Sequence, residues 1–321
     1  MKRVMRWVAA LAIAGASAAF AQGYPNRPIK VVVPWPPGQA TDLAARLVAQ
    51  QLTESLGQPL IVDNRPGAGG VIGSNVVAKS PADGYTLLAG SSGPISINPI
   101  VQTVPYDPEK AFVPISLIAT GPFVLVTRPG FPAADVREFI ALLKAKPGKY
   151  SFASSGTGAT AHLVSELFNS LAGVQATHVP YTGSSPALTD VISGEVDYAF
   201  ETVPAVVGHV KAGRLWAYGL SVNRRSAALP ALAPIAEAAD LPGFDIGAWI
   251  GYMAPAGTPR PVLERLSAAI NKALQVPELR ERYVALGLDP VSSTPEETTA
   301  FLKSEHARYS AIAKQANIKL D

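Results

Sequence analysis

The chain has 321 residues, with 27 Lys and Arg, 24 Asp and Glu, and no cysteine. Three of the basic residues lie within the first six positions, so 24 basic residues balance 24 acidic ones in the rest of the chain. This balance argues against nucleic acid and anionic lipid as partners, because both attract strongly basic proteins. The lack of cysteine excludes disulfide and thiol chemistry. A content of 48% apolar residues over this length predicts a large core, divided between two domains.

The N-terminus has the pattern of a secretory signal peptide. Lys2, Arg3 and Arg6 form a positive segment, residues 7–18 form a short apolar run, and residues 19–21 (Ala-Phe-Ala) form a cleavage site. The apolar run is too short for a comfortable transmembrane span, and no later stretch is long and apolar enough to cross a bilayer. We therefore expect residues 1–21 to be removed during export and the mature chain, beginning at Gln22, to reside in the periplasm.

Residues 31–42, VVVPWPPGQATD, predict a buried strand, a rigid loop and the start of a helix. β-Branched residues favour the strand, proline and glycine end it, and Thr41 and Asp42 are typical helix N-caps. Free N–H groups at such a helix start face whatever lies beyond the strand, which suits an anion such as a carboxylate. Trp35, in this rigid loop, is expected to pack in the core or to form the wall of a pocket.

The same strand-and-loop pattern recurs four times. Loops rich in glycine or polar residues follow predicted strands at residues 60–62, 86–89, 150–153 and 196–200. In open α/β sheets, ligands bind beyond the carboxyl ends of the strands. Loops from both parts of the chain would meet at one ligand in a two-lobed α/β protein. We expect residues 22–123 and 248–321 to form one lobe and residues 124–247 to form the other.

The remaining elements follow from apolar periodicity and from proline and glycine. We predict strands at residues 112–119 and 123–126, separated by Gly121 and Pro122, and a returning strand at residues 248–253. A helix is predicted at residues 136–145. Three C-terminal helices are predicted at residues 261–275, 277–287 and 295–316, and Thr294 and Glu297 form a capping box for the last. We expect these three helices to pack on the first lobe.

Two enzymatic interpretations of the sequence compete with ligand binding. Residues 156–161 match the dinucleotide pattern Gly-x-Gly-x-x-Ala, but no acidic residue follows the next predicted strand, so a general anion-binding turn fits better. The alternative function is a secreted α/β serine hydrolase with its nucleophile in the loop at residues 154–157. No Gly-x-Ser-x-Gly turn is present, and no acid is positioned to orient His162, which is more simply a semi-buried structural residue. We expect no catalytic residue, no metal site and no cofactor.

Several motifs together resemble the solute receptors of the tripartite tricarboxylate transporters, the Bug or TctC family of periplasmic proteins. They cover almost the whole mature chain and include YPNRPI at 24–29, VVPWPPG at 32–38, NRPGAGG at 64–70, DGYTLL at 83–88, PYDP at 105–108, HVPY at 178–181 and APAGTP at 254–259. The resemblance implies a type II periplasmic binding protein fold whose two lobes are joined by crossovers near residues 123–127 and 249–254. It also implies a monomeric receptor, not an enzyme. Such a receptor delivers a small carboxylate (a di- or tricarboxylate, an amino acid or an aromatic acid) to integral-membrane permease subunits.

In that family, main-chain amides, hydroxyl groups and ordered water hold the ligand carboxylate. By resemblance, the ligand-binding residues here are Pro37, Gly38, Gln39, Ala40, Gly67, Ala68, Ser91, Ser92, Ser155, Gly156, Thr157, Gly158, Tyr181, Glu201 and Thr202. Gln39 stands where a second glycine is usual, and Glu201 stands where aspartate is usual. We expect Gly38 and Gly158 to allow close approach of the backbone to the carboxylate. The sequence leaves open whether Glu201 contacts the ligand or caps the helix that follows it.

Overall fold

The structure of the protein is a computed structural model that describes residues 23–315 and residue 318. The predicted signal peptide, residues 1–21, lies outside the described residues. Within the described part of the chain, every helix is too short or too polar to cross a membrane.

Strands and helices alternate along most of the chain. The strands are β1 (Ile29–Val33), β2 (Leu60–Asn64), β3 (Thr86–Ser91), β4 (Phe112–Thr127), β5 (Tyr150–Ser154), β6 (Ala176–Pro180), β7 (Tyr198–Thr202), β8 (Trp216–Leu220), β9 (Gly247–Pro255) and β10 (Asp289–Pro290). The helices are α1 (Ala40–Leu56), α2 (Val71–Ala78), α3 (Asn98–Val101), α4 (Pro108–Ala111), α5 (Val136–Ala145), α6 (Thr160–Ala172), α7 (Ser184–Ser193), α8 (Val203–Lys211), α9 (Ile235–Ala238), α10 (Arg260–Ala273), α11 (Pro277–Ala285) and α12 (Pro295–Gln315).

A single mixed sheet runs through the molecule in the order β2-β1-β3-β9-β4-β7-β5-β6, and β8 and β10 also pair with β4. Pairing is parallel at both ends of this path and antiparallel around β9 and β4. Residues 112–122 of β4 pair with β9, whereas residues 123–127 pair with β7 and β8. We call β1, β2, β3, β9, β10 and residues 112–122 the first half of the sheet. The second half contains residues 123–127 and β5 to β8.

Local capping and apolar periodicity explain why α5 and α12 form where the sequence predicts them. Asp135 caps α5 by accepting hydrogen bonds from two N–H groups of the first turn, at 2.8 and 2.9 Å. Phe139 and Leu143, four residues apart, are buried on its core-facing side. The predicted capping box of α12 is confirmed: the Glu297 N–H donates to Thr294 Oγ1 at 3.1 Å, and the Thr294 N–H donates to the Glu297 carboxylate at 2.8 Å.

Two differences between the predicted and the observed strands affect the region around Glu201. The strands predicted at residues 112–119 and 123–126 form one strand, β4, because Gly121 and Pro122 stay extended and continue to pair with β9. The strand predicted at residues 196–200 lies instead at Tyr198–Thr202, because its pairing with β4 continues to its last residue. Glu201 therefore lies within a strand and not after it, so its side-chain direction is fixed by the sheet.

The predicted caps of α1 are wrong. Gln39 precedes the helix in an extended conformation, and Thr41 and Asp42 both lie in the first turn. The Asp42 carboxylate instead accepts a hydrogen bond from the Gly38 N–H at 2.9 Å and one from Asn64 Nδ2 at 2.8 Å. Asp42 thus closes the loop after β1, and its negative charge also stabilises the helix start.

The C-terminal helices pack largely on the first half of the sheet, as predicted. Helices α10 and α11 contact α1, and α12 contacts β4. Helix α12 also contacts α6, which belongs with the second half. With 21 residues it is roughly 32 Å long, at about 1.5 Å per residue. A helix of this length reaches beyond one half of the sheet, so the prediction for α12 was incomplete.

Candidate ligand-binding site

A cavity of about 40 Å³ lies between the two halves of the sheet, beyond the ends of several strands. We call it the central cavity. It is lined by Trp35, Gln39, Ala40, Thr41, Ser91, Ser92, Phe123, Ser155, Thr160, Ala161, Ser184, Glu201, Thr202, Ala248 and Ile250. Segments at or after the ends of β1, β3, β5 and β7 therefore converge at one place, although they are distant in the sequence.

A second space, which we call the neighbouring cavity, has a volume of about 350 Å³ and shares Trp35 and Ser155 with the central cavity. Its remaining wall consists of Gly67, Ala68, Gly69, Gln102, Gly156, Thr157, Pro180, Tyr181 and Thr182. The loop after β2 contributes here and not to the central cavity.

The structure distributes the predicted ligand-binding residues over these two spaces. The central cavity receives Gln39, Ala40, Ser91, Ser92, Ser155, Glu201 and Thr202. The neighbouring cavity receives Gly67, Ala68, Ser155, Gly156, Thr157 and Tyr181. Neither space is lined by Pro37, Gly38 or Gly158. The five predicted loops lie close together, but they do not form a single pocket.

Gly38 and Gly158, which we expect to allow close approach of the backbone to the carboxylate, have different surroundings. Both have a left-handed backbone, with φ of +84° and +72°, which favours glycine. A Cβ atom at Gly38 would have no neighbouring atom within 4 Å, whereas one at Gly158 would overlap the side-chain oxygen of Asn98. Gly158 thus permits close packing against Asn98 at the start of α3, and its approach to a bound ligand stays a prediction.

The hydroxyl group of Tyr181 is already engaged within the protein. It donates a hydrogen bond to the Asp190 carboxylate on α7, at 2.6 Å. Burial and this carboxylate raise the pKa of Tyr181 to about 12. Tyr181 therefore contributes to the wall of the neighbouring cavity, but its hydroxyl group is not available as a donor in the central cavity.

Trp35 is fixed in the wall of the central cavity by hydrogen bonds at both ends of the residue. Its indole N–H donates to Ser91 Oγ at 2.8 Å, and its carbonyl oxygen accepts from Asn64 Nδ2 at 2.9 Å. Only 7% of the residue is exposed. The loop after β1 is therefore held in place before any ligand binds, which reduces the entropy cost of binding.

The two halves of the sheet touch each other around the central cavity. The buried hydroxyl groups of Ser92 and Thr160, one on each side, form a hydrogen bond of 2.7 Å. Gly183 lies so close to Gln39 that a Cβ atom at that position would be 2.9 Å from Gln39 Nε2. These contacts define a closed arrangement with little free space at its centre.

Three helices begin at the central cavity. Ala40 and Thr41 start α1, Thr160 and Ala161 start α6, and Thr202 immediately precedes α8. None of the three helix starts has a side-chain hydrogen bond from its N-cap residue. The first N–H groups of a helix lack partners within the helix and carry partial positive charge. The central cavity therefore offers backbone donors, although no Lys, Arg or His among the described residues lines it.

Glu201 places a carboxyl group in this donor-rich cavity and is only 1% exposed. Its Oε2 accepts hydrogen bonds from the Ser184 hydroxyl group at 2.7 Å and from the Thr202 N–H at 3.3 Å. Its Oε1 has no hydrogen-bond partner among the described residues. Burial raises the pKa of Glu201 to about 7, although both hydrogen bonds oppose this shift. Glu201 thus bonds the N–H group just before α8 and also faces the cavity, so the two roles left open by the sequence are compatible.

Comparison with known proteins decides the family. Residues 44–318 match the family model described as "Tripartite tricarboxylate transporter family receptor". The chain belongs to this receptor family. BugT of Bordetella pertussis (strain Tohama I) is 40% identical over 302 residues, which cover 94% of this chain and 92% of BugT. The resemblance drawn from the sequence motifs is confirmed.

Solved structures similar to this receptor include two with bound acids. Rpa4515 of R. palustris, with adipate, is 34% identical, with a TM-score of 0.89 and coverage of 92% of this chain and 99% of that chain. MatC (Rpa3494) from Rhodopseudomonas palustris, with bound malate, is 32% identical, with a TM-score of 0.85 and coverage of 90% and 99%. The prediction of a two-lobed periplasmic binding protein fold is confirmed.

The structure of the receptor does not support the alternative interpretation as a serine hydrolase. Ser154 Oγ lies 2.6 Å from His178 Nε2, but Ser154 is fully buried and lines neither cavity. Burial and the nearby His162 lower the pKa of His178 to about 3. His162 stacks on His178 and accepts the Gly158 N–H at 3.3 Å, as a structural residue does. Among the described residues, no cluster of three His, Asp or Glu side chains is arranged to hold a metal ion.

Several residues of the receptor's central cavity were missed by sequence reasoning. Thr41, Thr160 and Ala161 lie in the first turns of helices that follow predicted loops. A predicted site that included the first helical turn after each loop would contain all three. Ser184 starts α7 after Gly183. The apolar wall also contains Phe123, Ala248 and Ile250, which lie where β4 and β9 run between the two halves.

Proposed function

We propose that this receptor captures a small organic carboxylate and delivers it to the permease subunits of a tripartite tricarboxylate transporter. The observation that carries the proposal is the convergence of three helix N-termini on the buried central cavity. Backbone N–H groups at helix starts stabilise anions without a side-chain cation. Adipate and malate, the acids bound in Rpa4515 and MatC, belong to this chemical class.

We propose that residues 22–123 and 248–321 form one lobe and residues 124–247 the other. In support, β4 exchanges its pairing with β9 for pairing with β7 and β8 after residue 122, and β9 begins at Gly247. The central cavity of this closed arrangement has only about 40 Å³, so the ligand reaches it when the lobes move apart. The Ser92–Thr160 hydrogen bond then re-forms as the lobes close.

Export and the monomeric, non-enzymatic state are part of the same proposal. The pattern of residues 1–21 supports cleavage before Gln22 and residence in the periplasm. Intact-mass measurement of protein from a periplasmic extract tests this. A chain beginning at Gln22 is expected, and a chain that keeps residues 1–21 would overturn it. Light scattering coupled to size exclusion measures the oligomeric state directly.

A thermal-shift screen tests the proposed ligand class. The panel contains aliphatic mono-, di- and tricarboxylates, amino acids and aromatic acids, each paired with its neutral primary amide. A ligand at one hundred times its Kd stabilises the folded receptor by about 2.7 kcal/mol. At least one acid should raise the melting temperature while its amide does not. A panel in which no acid shifts the transition would contradict the proposal.

A further inference from the structure

Two buried polar atoms of the central cavity have no hydrogen-bond partner among the described residues. They are Glu201 Oε1, an acceptor when ionised, and Gln39 Nε2, a donor. Buried polar atoms are almost always paired, because an unpaired one is costly. Both residues line the central cavity, so a bound ligand is the natural partner for both atoms.

These two atoms belong to opposite sides of the cavity and are linked through Gly183 and Ser184. Gln39 Nε2 lies against Gly183, where no Cβ blocks its approach. The next residue, Ser184, donates its hydroxyl hydrogen to Glu201 Oε2 at 2.7 Å. Because Oε2 also accepts the Thr202 N–H, Oε1 is the oxygen left for the ligand.

Charge limits which ligand groups can donate a hydrogen bond to Glu201 Oε1. The cavity offers donors from helix starts and hydroxyl groups, but no Lys, Arg or His of the described part of the chain lines it. A second carboxylate placed about 4 Å from an ionised Glu201 would lose roughly a thousandfold in affinity at an effective dielectric near 20. A ligand that is only an anion therefore matches the helix starts but not Glu201.

We infer that the ligand is an amino carboxylate, whose ammonium group donates a hydrogen bond to Glu201 Oε1 and whose carboxylate accepts from Gln39 Nε2 and the helix starts. This inference rests on the proposed function, since it uses the same cavity. Burial raises the pKa of Glu201 to about 7, although its two hydrogen bonds oppose this shift, and no cationic side chain of the described residues lines the cavity beside it. The ligand's ammonium group supplies a positive partner and keeps Glu201 ionised.

Matched acids that differ only in one substituent test the inference. The series are propionate, lactate and alanine; succinate, malate and aspartate; and glutarate, 2-hydroxyglutarate and glutamate. Titration calorimetry at pH 8 measures each Kd. In the series that binds most tightly, the amino member should bind at least about tenfold more tightly than both the unsubstituted and the hydroxy member. Glu201→Gln should reduce this preference to less than about threefold. Glu195→Gln, which removes an exposed carboxylate just before β7, is the matched control and should keep it.

Three results would overturn the inference while leaving the proposed function intact. In the first, the unsubstituted or hydroxy acid binds the wild-type receptor as tightly as the amino acid does. This comparison uses the wild-type receptor alone. Glu201→Gln could weaken all members of a series equally. Titrations in buffers of different ionisation enthalpy could show uptake of about one proton on binding, so that a neutral Glu201 would be donating to a carboxylate. If none of these acids and no acid of the wider panel binds, the proposed function itself fails.

Discussion

The buried carboxyl group of Glu201 should make the stability of the empty receptor depend on pH. Burial raises the pKa of Glu201 to about 7 in the folded protein, from its ordinary value of 4.5. Between pH 4.5 and pH 7, the Glu201 carboxyl group is mostly ionised in the unfolded chain but mostly protonated in the folded receptor. Stability is therefore unaffected by Glu201 below about pH 4, falls as the pH rises towards 7, and levels off above it. The difference between 7 and 4.5, at 1.36 kcal/mol per pH unit, corresponds to about 3 kcal/mol.

Glu201→Gln isolates this contribution. The substitution removes the ionisable group but keeps an oxygen that accepts the Ser184 hydroxyl hydrogen. Relative to wild type, the variant should gain about 3 kcal/mol in free energy of unfolding between pH 4 and pH 8. Urea unfolding of both proteins across this range measures the difference, and the titration of all other groups cancels in the comparison.

Glu195→Gln is again the control, because Glu195 is exposed just before β7. Its effect should stay within about 0.5 kcal/mol at each pH, as for most surface substitutions. A stability difference between wild type and Glu201→Gln that does not change from pH 4 to pH 8 would show that folding does not raise the pKa of Glu201. Wild type gaining stability with pH relative to the variant would mean that the folded receptor favours the ionised carboxylate.

Two further predictions concern the contacts around the cavity. Gly158→Ala should lower the free energy of unfolding by about 2 kcal/mol or more, and Gly38→Ala should lower it by about 1 kcal/mol. Both substitutions strain a left-handed backbone, but only the first also places a Cβ atom against Asn98. Equal losses in urea unfolding would contradict this difference. Thr160→Val removes the hydroxyl group that bonds Ser92 and should weaken carboxylate binding about five- to tenfold in calorimetry. An unchanged Kd would show that this contact does not favour the closed receptor.

Elements fixed by nearby residues could be predicted from the sequence. The start of α12 follows from Thr294 and Glu297, three residues apart, which satisfy each other's backbone N–H groups. The start of α5 is also fixed locally, because Asp135 accepts hydrogen bonds from two N–H groups of the first turn. Loops after β1, β3, β5 and β7 could be predicted to meet, because strand ends in an α/β sheet share one side.

Features that depend on distant residues could not be predicted. Gly158 is required by Asn98, 60 positions earlier, and its positive φ alone would suit a ligand-binding loop equally well. The Tyr181 hydroxyl group donates a hydrogen bond to Asp190, and no sequence pattern identifies Asp190 as its partner. The burial of Glu201 depends on the register of β7 against β4. The predicted strand, residues 196–200, begins two residues before the observed one and therefore places Glu201 just outside the sheet.

We propose that the central cavity recognises a carboxylate through helix starts and hydroxyl groups. Calorimetric titration of the tightest acid from the screen, side by side with its primary amide, tests this recognition. The amide has nearly the same shape but lacks the negative charge. We expect saturable binding of one acid per receptor and at least about a hundredfold weaker binding of the amide, since several charge-assisted hydrogen bonds are lost. An amide that binds as tightly as the acid would show that the cavity does not recognise the negative charge of the carboxylate.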